Sequence, residues 1–131
     1  TDSIDCEIEK EGILTRIDPN QLTQVVSNLC QNALRYSGEP GTPRTIYLRL
    51  YLHPDTQLPT LEIIDHGPGV ASEHVGHIFE PFYTTENSGT GLGLYISREL
   101  CESNQARLEC DSVEPHGCCM RITFAHPKRL V

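Results

Sequence analysis

Residues 45–52, TIYLRLYL, alternate without a break, with Ile46, Leu48, Leu50 and Leu52 on one parity. Successive side chains of a strand point to opposite faces, so this segment predicts a strand that is buried on one side only. A sheet built from such strands needs cover on a single face. The segment is followed by turn formers, HPDTQLP, and then by TLEIID, so the two runs read as a hairpin. Ile4 to Ile8 alternates and reads as a short strand, and Gly12 turns the chain into another, ILTRI. ARLECDS and GCCMRITFA close the chain as two more strands, with Cys118, Met120, Ile122 and Phe124 forming the inward face of the last.

The cover comes from segments with helical spacing. In DPNQLTQVVSNLCQNALRYS the apolar residues Leu22, Val25, Val26, Leu29, Ala33 and Tyr36 recur on one helix face. Asp18 is a good N-cap, Pro19 suits the first helical position and Gln21 completes a capping box. This helix should stop near Ser37–Gly38. A second helix leaves GTGLGL and runs to about Ser103, and a short helical turn is expected near Ser72–His77. The pattern predicts an α+β fold: a two-layer α/β sandwich, with a mixed sheet of about five strands and about three helices on one face.

The 131 residues suffice for one domain, 1–131, with a real core. A net charge of -8 argues against a nucleic-acid partner, and an anionic ligand would need a cation or backbone amides to offset that charge. No run of 18 apolar residues is present, so no membrane span or direct membrane contact is expected. The acidic start, TDSIDCEIEK, has neither signal-peptide character nor an initiator Met, and reads as part of a longer protein. The six cysteines lack any C-x-x-C spacing and read as free, partly buried thiols of a cytoplasmic protein.

Three stretches could carry chemistry. In NSGTGLGLYISREL, Gly89, Gly91 and Gly93 run into a helix that glycine weakens by about 1 kcal/mol per residue. A phosphate site would explain this, since bare backbone and a helix N-terminus both suit an anion; a flexible loop would explain it equally. Asn28 and Asn32 lie one turn apart beside the apolar stripe, with Arg35 and Tyr36 a turn further on. They suit a hard cation with phosphate nearby, or simply a polar helix flank. Asp65, in IIDHGPGV, shares the parity of Leu61 and Ile63 and so points inward, where it could accept from an adenine amino group or cap its own turn.

Taken in order, N-x-x-x-N-A-x-R-Y, D-x-G-x-G, F-E-P-F and G-T-G-L-G-L resemble the N, G1, F and G2 boxes of the GHKL (Bergerat) ATP-binding fold. Within that fold they look like the catalytic and ATP-binding domain of sensor histidine kinases, over about residues 13–125. FEPFYTT, with a short lid before GTGLGLYISRELCE, is similar to the NtrB/PilS subgroup. The resemblance implies Mg²⁺ on Asn32, phosphate on Arg35, and Tyr36 along the adenine or ribose. It implies Asp65 on the adenine amino group and Gly67 and Gly69 against the base. Phe79 and Phe82 would anchor a lid formed by Tyr83 to Ser88, and Gly89, Gly91 and Gly93 would bring the helix start to the phosphates. The implied nucleotide contacts also take in Val70, Thr84, Thr85, Ser88, Thr90, Leu92 and Leu94.

Two positions depart from the pattern: Glu86 stands where relatives with this lid often carry Lys, and His66 where many carry Asn. ATPases and serine kinases of the fold typically have a Glu base at the first N-box position. Here it is Asn28, whose amide takes no proton at neutral pH. The resemblance therefore implies a protein-histidine kinase that uses ATP with Mg²⁺ and leaves ADP, with Asn28 and Asn32 at its catalytic centre. A nucleotide-sensing module without transfer, or a serine kinase or ATPase, are the alternatives.

None of the histidines (His53, His66, His74, His77, His116, His126) has the helical context of a phosphoacceptor. The acceptor is expected on a dimerisation and phosphoacceptor domain preceding Thr1, with an NtrC-like response regulator as the onward partner. The domain alone is expected to be monomeric.

Overall fold

The computed structural model describes residues 3–9, 11–36, 44–70, 73–83, 92–114 and 116–126, the side chain of Tyr36 excepted. In chain order the elements are β1 (Ser3–Ile8), α1 (Pro19–Tyr36), β2 (Thr45–Leu52), β3 (Pro59–Asp65), α2 (Gly93–Ser103), β4 (Arg107–Ser112) and β5 (Cys118–Thr123). The strands form one sheet in the order β1-β2-β3-β5-β4. β1 runs parallel to β2, which requires the crossover that α1 supplies, and every other pair is antiparallel.

The alternation of β2 and its neighbours gives the sheet one apolar face. Ile46, Ile63, Leu108, Met120 and Ile122 from that face meet Val25, Leu29 and Ala33 of α1 and Cys101 of α2, all buried. The opposite face is polar. Glu62 there is buried between Arg49 and Arg121, its register partners on β2 and β5, at 3.4 and 3.0 Å. Arg121 also pairs with Asp111. A single-sided core of this kind is the two-layer arrangement that the alternation predicts.

Three details differ from expectation. Ile13–Ile17 is not a strand: Gly12 turns at φ +75 and the segment crosses toward α1, with the Thr15 hydroxyl donating to the Ala125 carbonyl. Among the described residues there are two helices, against the roughly three expected. Residues 73–83 make successive turns instead, held by His77 N–H to His74 O and Glu80 N–H to His77 O, a spacing too tight to propagate an α-helix. Finally, the capping box is only half formed. Asp18 Oδ1 accepts from the N–H groups of Asn20 and Gln21 (2.8 and 3.0 Å), but the Asp18 N–H goes to Asn104 Oδ1 at 3.1 Å. Asn104 Nδ2 donates in turn to Gln21 Oε1 and Leu100 O, both at 2.7 Å. The box partner thus comes from the far end of α2, and this ties the start of α1 to the end of α2.

Candidate functional site

That tie sets the polarity of both helices. With the start of α1 held against the end of α2, the end of α1 and the start of α2 lie together at the other end of the sheet. Arg44 Nη1 donates to Leu34 O at 2.6 Å and brings the start of β2 to the same place. Tyr47, early in β2, pairs with Ile64, so β3 also ends there, at Asp65. Asn28, Asn32, Asp65 and Gly93, far apart in sequence, therefore share one end of the fold.

On α1, Asn28 and Asn32 are half-buried and Arg35 is exposed at the last turn. The Asn28 amide donates to the hydroxyl of fully buried Ser97 at 3.4 Å, linking α1 to the second turn of α2. The Asn32 side chain makes no hydrogen bond to the described residues. α2 starts without a side-chain cap and with no acidic residue in its first turn. A helix start of that kind presents backbone N–H groups and positive potential to an anion. Leu94 packs half-buried on the core beneath it.

Asp65 is 5 % exposed. Burial pushes its carboxyl pKa up, and hydrogen bonds from the Gly67 and Cys118 N–H groups and the nearby His66 pull against that. Its Oδ1 accepts from Gly67 N–H at 3.0 Å, so the turn-capping role is real. A carboxylate has lone pairs beyond that bond and can still accept from a ligand.

The D-x-G-x-G loop is clamped by the turn between β4 and β5. His116 Nδ1 donates to Gly67 O at 3.0 Å. Gly117, at φ +130, passes so close that a Cβ there would sit 2.2 Å from the Asp65 carbonyl oxygen. Gly69, at φ +80, lies against Gly117 in turn, and Val70 packs on the core. His66 turns outward and meets Tyr47 edge-on.

Of the two phenylalanines expected to anchor the lid, Phe79 packs on the core with the Arg98 guanidinium over its ring, whereas Phe82 is 72 % exposed at φ +66. Tyr83 is half-buried, hydrogen-bonded to His74 and flanked by the His77 ring. Thr84, Thr85, Glu86, Ser88, Gly89, Thr90 and Gly91 lie outside the described residues, as does the side chain of Tyr36; Leu92 immediately precedes α2.

Ser97, His116 and Gly117 were not legible as site residues. The one available signal was Gly117, a glycine directly before an apolar strand and so a candidate for close backbone approach.

The sequence profile described as "Histidine kinase-, DNA gyrase B-, and HSP90-like ATPase" matches residues 17–128. The sensor protein kinase PilS of Pseudomonas aeruginosa is 57% identical over 118 residues, covering 90% of this chain and 22% of that protein. A sensor protein kinase WalK from Staphylococcus aureus is 37% identical over 124 residues, covering 90% and 29%. Among solved structures, the nucleotide-free catalytic domain of histidine kinase ThkA has a TM-score of 0.77 at 26% identity, covering 94% of this chain and 78% of that one. The chain thus spans well under a third of the length of these curated relatives. The likeness to PilS is the one that FEPFYTT and its short interval to GTGLGL imply.

Proposed function

The chain belongs to the histidine kinase-, DNA gyrase B- and HSP90-like ATPase family, and we propose that it binds Mg-ATP and supplies the γ-phosphate to a histidine on the dimerisation and phosphoacceptor domain of a sensor kinase. Asp65 accepts from the adenine amino group while the Gly67–Gly69 backbone lies along the base. The start of α2 and Arg35 take the phosphates. Mg²⁺, when bound, neutralises phosphate charge on a domain of net charge -8. Asn32 fits as its single protein ligand, because Mg²⁺ keeps most of its coordination for water and phosphate oxygens. No cluster of His, Cys, Asp or Glu that could hold a metal unaided occurs among the described residues.

The observation that carries transfer over hydrolysis is Asn28. Its amide donates to Ser97 and cannot act as the base that would activate water. The acceptor imidazole brings its own nucleophilic nitrogen, and the base that assists it belongs to the phosphoacceptor domain. The phosphoryl group then passes to an aspartate of a response regulator, of the NtrC-like class in keeping with the likeness to PilS. No helix among the described residues is long and apolar enough to cross a membrane, and we place the domain on the cytoplasmic side, where ATP is.

The test supplies radiolabelled ATP to this chain together with the matching phosphoacceptor hairpin as a separate polypeptide. Label is expected on the hairpin and should be lost in acid, as a phosphohistidine is. Acid-stable label would point to a serine kinase instead, and phosphate release without any acceptor would point to an ATPase. Nucleotide binding with no transfer would leave a sensing module.

A further inference from the structure

The two thiols nearest the buried Asp65 are also the closest pair in the protein. Cys110 on β4 and Cys118 on β5 share the inward face as diagonal neighbours: Cys110 is in register with Met120, and Cys118 with Ser112. Their Sγ atoms are 3.0 Å apart, already within about 1 Å of the disulfide bond length. The other four cysteines lack this geometry. Cys101 is buried in α2, Cys119 faces the opposite side of the sheet toward Glu62, and Cys6 and Cys30 lie on β1 and α1.

The pair is also chemically unequal. A hydrogen bond from Cys118 holds the Cys110 thiol below the ordinary thiol range against the effect of burial, while giving that bond and being buried push Cys118 far up. Burial lifts Cys101 to about 11 and Cys119 to about 12. Thiolate character, which sets reactivity, is therefore concentrated on Cys110.

A cavity of about 140 Å³ opens onto the pair between Val70, Val75, Asp111 and Gly117. Val75 and Asp111 are exposed, so a small polar oxidant can reach it. One water needs only about 10–15 Å³ of such space.

We propose that Cys110 and Cys118 form a reversible intrachain disulfide with hydroperoxide as the oxidant, and that this bond turns off nucleotide binding by displacing Asp65. The second half rests on the nucleotide reading given above; the first does not.

In the first step the Cys110 thiolate attacks one peroxide oxygen. The O–O bond breaks, a sulfenic acid forms on Cys110, and hydroxide leaves as water. The Cys118 sulfur then attacks the sulfenic sulfur, and the S–O bond breaks as hydroxide departs with the Cys118 proton, again as water. Two thiols lose two electrons, and one peroxide becomes two waters. A dithiol reductant reverses the bond by thiol exchange.

The coupling is mechanical. Cys118 is the register partner of Asp65, and its backbone N–H is among the groups that favour the charged Asp65 carboxyl. The preceding residue, Gly117, touches the Asp65 carbonyl with no room to spare. Drawing Cys118 toward β4 therefore moves the backbone that positions the carboxylate.

The test treats the reduced chain with hydrogen peroxide, then cleaves it on the N-terminal side of Asp111 under non-reducing conditions, which leaves Cys110 and Cys118 on separate peptides. A mass two hydrogens lower, with the two peptides joined and fragmentation between Cys101 and Cys110 and between Cys118 and Cys119 assigning both partners, is the expected result. Affinity for ADP should fall at least about tenfold on oxidation, since losing a hydrogen bond to a charged group costs that much, and dithiothreitol should restore it. Cys110→Ser and Cys110→Ala should both retain their ADP affinity in peroxide.

Cys110 remaining a thiol at a peroxide dose that oxidises exposed Cys6 would overturn the bond. A mapped bond with unchanged ADP affinity, or a Cys110→Ser chain that still loses affinity, would overturn the coupling. If the reduced chain fails to bind ADP at all, the nucleotide reading falls, while the mapping decides the bond separately.

Discussion

Gly117→Ala is the sharpest probe of the clamp on the D-x-G-x-G loop. The new Cβ would lie 2.2 Å from the Asp65 carbonyl oxygen, 3.0 Å from His66 Cα and 3.2 Å from the Asp65 carbonyl carbon. All three are backbone atoms at the end of a central strand, so no side chain can swing aside. Relief requires β3 and the β4–β5 turn to part by about 1 Å, and forcing that much overlap into a packed region costs about 1–3 kcal/mol. The backbone at φ +130 adds a further penalty of about 1–3 kcal/mol for any residue with a Cβ. A total near 3–4 kcal/mol is a large share of the roughly 5–15 kcal/mol that holds a domain together.

Urea denaturation followed by circular dichroism suits a chain that has no tryptophan. The midpoint should fall by about 1–4 M, given slopes of about 1–3 kcal/mol per molar. Gly76→Ala is the control, because nothing lies within 4 Å of a Cβ there. ADP affinity should fall for Gly117→Ala even under conditions where it remains folded. If Gly117→Ala were no less stable than Gly76→Ala, the reasoning about close backbone approach would be refuted.

Two further outcomes follow from the site. Burial raises the Asp65 pKa above its unfolded value, so the neutral form is the one the fold prefers: its stabilising contribution is complete below the unfolded pKa and is lost as pH rises through the folded one. The stability of Asp65→Asn relative to the parent chain is therefore expected to increase as pH rises above the ordinary Asp range of about 4, and a pH-independent difference in urea midpoint would contradict the burial argument; the same variant should lose preference for ATP over GTP. Asn32→Ala should weaken ATP binding in the presence of Mg²⁺ and far less in EDTA by calorimetry, and equal weakening in both would remove Asn32 from the metal site.

Periodicity made the sheet and both helices legible because one-sided burial imposes it directly. Ile46, Ile63 and Ile122 fall inward as alternation requires, and Val25, Leu29 and Ala33 as helical spacing requires. Alternation could not distinguish ILTRI from a strand, because an extended crossover shows the same pattern without pairing to a neighbour. The capping box was legible for Asp18 but not for Gln21, since a distant Asn104 took over the reciprocal bonds. At the site, Asp65 could be placed by parity. Its clamp could not, because His116 and Gly117 act through backbone contacts across some fifty residues, which no local pattern encodes.

The strand order has a consequence for how the chain acquires its structure. β5 lies between β3 and β4 in the sheet, and its last residue in the ladder, Thr123, pairs with Thr60. A ribosome that has delivered everything through β4 has therefore made a β2–β3 hairpin whose inner edge still lacks its central neighbour. Ile63, one of the most buried residues of the finished core, waits at that edge for the final strand. Loop closure over such a distance is slow compared with helix formation, so nascent chains pass through a stage with an unpaired apolar strand edge. Such edges invite pairing between chains. Truncations that end before Cys118 should aggregate rather than fold, and synthesis at high local concentration is the step at which the protein is most vulnerable.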